Sequence, residues 1–177
     1  MGSGRIIVTL MAGLAIAGLG IGPDSAEAQG RLNGFASRLL AAHNLERDRI
    51  AAPRLRWSSA LAQDAASWAA ELARKGRFEH ASGEQRRGMG ENLWTGTAGR
   101  YSAEAMIGGF VAERDKFRAG TFPQVSRTGN WADVGHYTQL IWPRTQEVGC
   151  AVAKGAVNDV LVCRYFPAGN IVGETIG

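Results

Sequence analysis

Two cysteines, Cys150 and Cys163, constrain this chain more tightly than any other pair of its residues. Glu147 to Ala153 and Asp159 to Tyr165 both read as strands, with Gly155-Ala156-Val157-Asn158 as turn material between them. A turn centred between Ala156 and Val157 sets Cys150 directly opposite Cys163 in an antiparallel pair. Positions opposed in this way bring their Cβ atoms about as close as a disulfide requires. The bridge would close a short loop, so it would act as a local staple worth somewhat less than the roughly 3 kcal/mol of a 15-residue loop. The alternative is a pair of buried free thiols.

A disulfide belongs to an oxidising compartment, and the N-terminus fits export to one. Arg5 supplies a positive start, Ile6 to Ile21 is apolar and Gly/Ala-spaced, and Ala26-Glu27-Ala28 gives the small-x-small cleavage pattern. Residues 1–28 are expected to be a signal peptide cleaved before Gln29, which makes the protein secreted or periplasmic. The rival is a retained anchor. Its apolar run is shorter than the roughly 20 residues a spanning helix needs, and Gly22-Pro23-Asp24 ends it. Residues 29–177 then suffice for one domain with a substantial core. Losing Arg5, Asp24 and Glu27 raises the formal net charge of +4 by one. These charges are scattered, without a Lys/Arg run, which speaks against nucleic-acid binding. A monomer is expected.

Helical spacing runs through Leu32, Phe35, Ala36, Leu39, Leu40 and His43 until Pro53 stops it. His43 lies on the apolar face, as a satisfied core histidine does. Leu55-Arg56-Trp57 is an extended link, and Ser58 or Ser59 caps a second helix that ends near Lys75-Gly76. Gly90-Glu91-Asn92-Leu93-Trp94 reads as the entry to a strand. Ser102 caps a third helix with the stripe Met106, Phe110, Phe117, on which Glu113 also falls. A carboxylate in an apolar seam is costly unless paired, and a histidine is the obvious partner. His136, in Gly135-His136-Tyr137-Thr138-Gln139-Leu140-Ile141-Trp142, sits in a polar segment with an apolar anchor behind it. Helices, short extended pieces, a further helix and a closing hairpin predict an α+β domain with a small, mainly antiparallel sheet.

Gly135 to Thr145 and Val160 to Asn170 resemble the two signatures of the superfamily of cysteine-rich secretory proteins, venom allergens and plant pathogenesis-related proteins, the CAP or SCP-like domain. His43-Asn44-Leu45-Glu46-Arg47 resembles its first-helix motif and Gly90-Glu91-Asn92-Leu93 its central one, all in family order. The resemblance implies a three-layer α-β-α sandwich over residues 29–177. Its cleft would be lined by His80, Glu91, Glu113 and His136, and Cys150 and Cys163 match a recurring disulfide. Phe110 stands where many relatives carry Trp. The chain is also expected to have fewer disulfides than eukaryotic relatives and no Cys-rich extension, so ion-channel activity is not implied.

His80 and His136 are thus candidate ligands for a divalent metal, zinc above all, with Glu91 and Glu113 orienting the rings through their other nitrogens. The alternative is a metal-free His–Glu network pinning loops into the cleft. A hydrolase, protease or esterase, would use Glu91 or Glu113 as catalytic base. No His-Glu-x-x-His, Gly-x-Ser-x-Gly or Cys/His nucleophile pair supports it, so binding is the better expectation. Ligands implied by the resemblance are a sterol or fatty acid, or a component of an envelope or host surface. Phe122, Val125 and Trp131 either form an apolar ligand surface or pack their own loop down. Thiol titration checks the opening inference: the native protein should expose no free thiol and the reduced protein two, whereas two thiols before reduction would refute the bridge.

Overall fold

The computed structural model describes residues 34–177, so the signal expected over residues 1–28 lies outside the described residues. Helix α1 (Gly34–Arg49) comes first, followed by strand β1 (Arg56–Trp57), helix α2 (Ser59–Lys75) and the short helix α3 (Gly83–Arg86). Strand β2 (Gly90–Thr97) leads to helix α4 (Ala103–Val111) and a 3-10 turn over Ala112–Lys116. Strand β3 (Gly120–Thr121), a second 3-10 turn (Trp131–Asp133), helix α5 (Gly135–Ile141), and strands β4 (Glu147–Ala153), β5 (Asn158–Phe166) and β6 (Thr175–Ile176) complete the order. Among the described residues, no helix is long and apolar enough to cross a membrane.

The main sheet runs β1-β4-β5-β2, antiparallel except for the β1–β4 pair, and β3 and β6 form a separate ribbon. The closing hairpin has the register expected of it. Cys150 faces Cys163, and the two are joined as a disulfide. Strand β5 is buried from Asp159 to Tyr165 because helices cover both of its faces. Leu161, Cys163 and Tyr165 belong to a core shared with α1, α4 and α5, whereas Val160 and Val162 pack with Ala65, Ala69 and Leu72 of α2. Two helical layers with a sheet between them make the three-layer sandwich. On the α2 side the approach is close: a Cβ on Gly149 of β4 would lie 2.3 Å from the Ala62 amide nitrogen and 2.5 Å from the Ser58 carbonyl oxygen. Only glycine lets the first turn of α2 rest on the strand at that distance.

Local chemistry explains where the helices stop. Ser58 accepts a hydrogen bond from the Leu61 amide at the start of α2, and Gly76, at φ 62°, closes its end through a bond to the Leu72 carbonyl. The third helix differs from its expected form. It leaves α-geometry at Val111 and passes into the 3-10 turn, so Glu113 and Phe117 do not continue one α-helical stripe. Ala112-Glu113-Arg114-Asp115-Lys116 offers almost no apolar surface to hold another α-turn against the core, and its charged side chains are drawn to other partners.

The buried stripe of α1 turns polar toward its C-terminus, where His43, Asn44, Glu46 and Arg47 are all buried. Asn44 pairs with both backbone groups of Leu55, which fixes the link into β1. Arg47 donates to the carbonyls of Pro53, Leu140, Trp142 and Thr145, so its guanidinium serves the end of α5. His43 fits the core role expected of it. Its Nδ1 lies 2.8 Å from the Leu39 carbonyl oxygen and its Nε2 2.8 Å from the Tyr165 hydroxyl, which the neutral Nδ1–H tautomer satisfies.

Burial lowers the His43 pKa from 6.5 to about 4. The unfolded chain therefore takes up the proton first, and acid favours unfolding: the stabilisation is full above pH 6.5 and is lost as the pH falls toward 4. A shift of this size corresponds to on the order of 3 kcal/mol. Urea unfolding followed between pH 7 and 4 should show the midpoint falling over that window and falling less in His43→Gln. Equal slopes for the two proteins would remove His43 as the cause.

Candidate functional site

Strand β2 is a free edge of the main sheet, and its first residues form the floor of a cleft of about 750 Å³. Consecutive side chains of β2 point to opposite faces, and the cleft uses both. Glu91 lies opposite Arg164 of β5, on the α2 side of the sheet. Asn92 lies opposite Cys163, on the side of α4 and α5. His80 and His136 reach the cleft from these two sides, and both line it.

His80 comes from the extended segment after α2. Its Nδ1 lies 2.5 Å from Glu91 Oε1, which also accepts the Ala81 amide at 3.1 Å. The other Glu91 oxygen is held by the Arg164 guanidinium, itself 2.7 Å from Asp64 on α2. Glu91 and Arg164 are both buried, and each leaves its charge compensated by at least two partners. His136 opens α5. Its Nδ1 lies 2.5 Å from Glu113 Oε1, while Glu113 Oε2 accepts the amides of His136 and Tyr137 at 2.9 and 3.0 Å. These two amides belong to the first turn of α5, where unpaired N–H groups favour a carboxylate. Phe110 stacks on the imidazole with ring centroids 5.2 Å apart, so an aromatic ring still backs the histidine at this position. Asn92 donates to the His136 carbonyl oxygen at 2.9 Å and to the Tyr165 hydroxyl at 3.2 Å, linking the cleft to His43 through the core.

All four expected residues are therefore placed around one cleft, with Glu113 behind His136 and not on the wall. Each ring commits Nδ1 to a carboxylate. Among the described residues, neither Nε2 has a hydrogen-bond partner. In the neutral form, a ring held in this way donates from Nδ1 and carries a free lone pair on Nε2. In the Phe122 region, Phe122 and Val125 are buried in the core, as packing of the loop requires, while Trp131 is 46% exposed, and Phe122 and Trp131 line the cleft.

Sequence reasoning passed over Arg164, Asn92 and Asp64. Arg164 carried a signal, since a lone guanidinium in the apolar run Val160–Tyr165 requires a buried acid opposite it. Asp64 offered none, because nothing local marks it from other helical surface acids.

Two other features do not compete as sites. A cavity of about 1010 Å³ beside Arg54, Arg56 and Arg144 is larger, but these arginines are exposed and paired with Asp48, Glu147 and Glu174. His43, Cys150 and Cys163 bring three potential ligand atoms within 4.8 Å of one another, but both sulfurs are bonded in the disulfide and supply no thiolate. Removing the partner of Glu91 tests how the cleft is supported. Arg164→Gln should cost about 3 kcal/mol or more in denaturant unfolding, as breaking a buried pair does. A loss below about 1 kcal/mol would show that Glu91 does not depend on it.

Comparison with known proteins identifies the family and the fold. The family model described as the cysteine-rich secretory protein family, CAP, matches residues 40–165. "Repressed by EFG1 protein 1" of Candida albicans is 32% identical over 80% of this chain, which spans 49% of that protein's length. Pathogenesis-related protein PRMS of Zea mays is 31% identical, covering 76% of this chain and 77% of its own. The crystal structure of NaASP2 with Zn2+ shares the fold with a TM-score of 0.65 at 22% identity, covering 81% of this chain and 87% of that one. With a family match across most of its length and a fold to go with it, this chain belongs to the CAP family of cysteine-rich secretory proteins.

Proposed function

We propose that the cleft is an extracytoplasmic ligand-binding site organised by a divalent cation such as zinc, held by Nε2 of His80 and Nε2 of His136. One observation carries this reading. Both imidazoles line the cleft, and each has its Nδ1 tied to a glutamate, which leaves Nε2 as the free ligand atom. The donor set fits such an ion: neutral imidazole is a good zinc ligand, and a carboxylate on the far nitrogen raises its basicity. NaASP2, which shares the fold, has a structure with Zn2+. Only two protein ligands are offered, fewer than the three of most catalytic zinc sites, so open positions remain for water or ligand and the affinity is modest.

Binding is favoured over hydrolysis by the state of the two glutamates. Glu91 is shared by His80, the Ala81 amide and Arg164, and Glu113 by the His136 ring and two amides. A general base must reach the proton it removes, and these carboxylates are spent on orienting imidazoles. The extracytoplasmic setting is supported by the Cys150–Cys163 disulfide and by a relative named as a secreted protein in Candida albicans. Calorimetry with zinc at neutral pH checks the proposal. Wild type should bind and His80→Ala/His136→Ala should not. The same heat from both proteins would refute it, and metal-dependent ester or peptide turnover lost in Glu91→Gln would favour the hydrolase instead.

A further inference from the structure

The cleft holds a cation that no group among the described residues uses. Arg86, the last residue of α3, lines the same cleft as His80 and His136. Its side chain is partly buried, its Nε is shielded from solvent, and among the described residues its guanidinium has neither hydrogen-bond nor ion-pair partner. This separates it from the two fully buried arginines of the described residues. Arg47 is satisfied by four backbone carbonyls and Arg164 by Asp64 and Glu91. The nearby acid on the wall, Glu91, already has both oxygens engaged.

The backbone around Arg86 is held in place. Ser82 and Gln85 form a reciprocal capping box at the start of α3, the Arg86 amide donates to the Ser82 carbonyl, and the Arg86 carbonyl accepts from Met89. A shielded guanidinium nitrogen without an acceptor is costly, and charged groups are the most costly to leave unmet. An incoming oxyanion removes that cost, and the planar guanidinium matches carboxylate and phosphate oxygens in pairs. The same cleft is lined by the apolar side chains of Phe122, Pro123, Trp131 and Val172. Trp131 is 46% and Val172 75% exposed, so this lining has surface left to cover.

We infer that the cleft takes an amphipathic oxyanion, a carboxylate or phosphate monoester on an apolar body. Its headgroup lies between Arg86 and the cation on His80 and His136, and its body lies against Phe122 and Trp131. This rests on the metal-organised cleft proposed above and names the chemical class of its ligand. Arg86 acts on the ligand and not on the ion, so the two ideas separate in one set of titrations.

Zinc-loaded protein is titrated calorimetrically with phenylacetate, phenyl phosphate and benzyl alcohol, in wild type, Arg86→Gln and Arg86→Lys. Wild type should bind at least one of the two anions and discriminate against the neutral alcohol. Arg86→Gln should weaken that anion by about tenfold to a hundredfold, as loss of a charged hydrogen bond does, with zinc affinity unchanged and partial recovery in Arg86→Lys. The stronger anion identifies the headgroup. Equal anion affinity in wild type and Arg86→Gln, equal binding of the alcohol, or no binding of either anion overturns the inference while leaving the metal reading intact. Loss of zinc binding in Arg86→Gln overturns it as well, by giving Arg86 a part in the fold. Wild type that takes no zinc overturns the metal reading, and the bridging headgroup with it.

Discussion

Strand β5 is covered on both faces, and that one constraint organises the molecule. A strand in this position must send successive side chains into different layers, and the run Val160 to Tyr165 does so. At its end the alternation becomes polar. Arg164 turns toward α2 and holds Glu91, which orients His80. Tyr165 turns the other way and meets Asn92, whose amide holds the His136 backbone. Two consecutive residues thus support the two histidines from opposite sides of the sheet. The disulfide at Cys163, the residue before them, locks the register of β4 against the strand on which both depend.

The polar groups around α1 and α5 are expensive to bury, and they answer one another. His43 links Leu39 to Tyr165, Arg47 collects carbonyls at the end of α5, and Glu46 accepts from the Tyr137 hydroxyl and from Arg114. Burial and the Glu46 carboxylate together keep the Tyr137 hydroxyl protonated, and burial does the same for Tyr165. Such a network contributes less to net stability than to fixing one arrangement, because any alternative packing strands a charge or a hydroxyl. The gain here is positional: α5 is held at both ends, so His136 enters the cleft from a rigid support. Among the described residues two shielded side-chain nitrogens lack a partner, the neutral indole Nε1 of Trp68 and Nε of Arg86, and it is the charged one that lines the cleft and points to a ligand.

Much of this could be read from residue order because the relevant signals were local. The hairpin register followed from turn chemistry and two cysteines, the limits of α2 from Ser58 and Gly76, and the core role of His43 from its place on an apolar face. The pairing of Glu113 with a histidine followed from the cost of leaving a carboxylate in an apolar seam, although the helix expected to carry it ends early. Residue order hid what depends on separation in sequence. Arg164 meets Asp64 across 100 residues, and no spacing rule selects that acid among its neighbours. Arg86 was equally silent, because a surface helix end and a cleft wall look alike in sequence.

The central claim is that two histidines, carried by opposite sides of the sheet, converge on one ion. Crystals soaked in zinc and measured at the zinc absorption edge test it most directly. The account predicts a single anomalous peak in the cleft, about 2.0–2.1 Å from Nε2 of both His80 and His136, with Nδ1 of each ring still on Glu91 and Glu113. A peak on one histidine alone, on Nδ1, or at a place remote from β2 would contradict it.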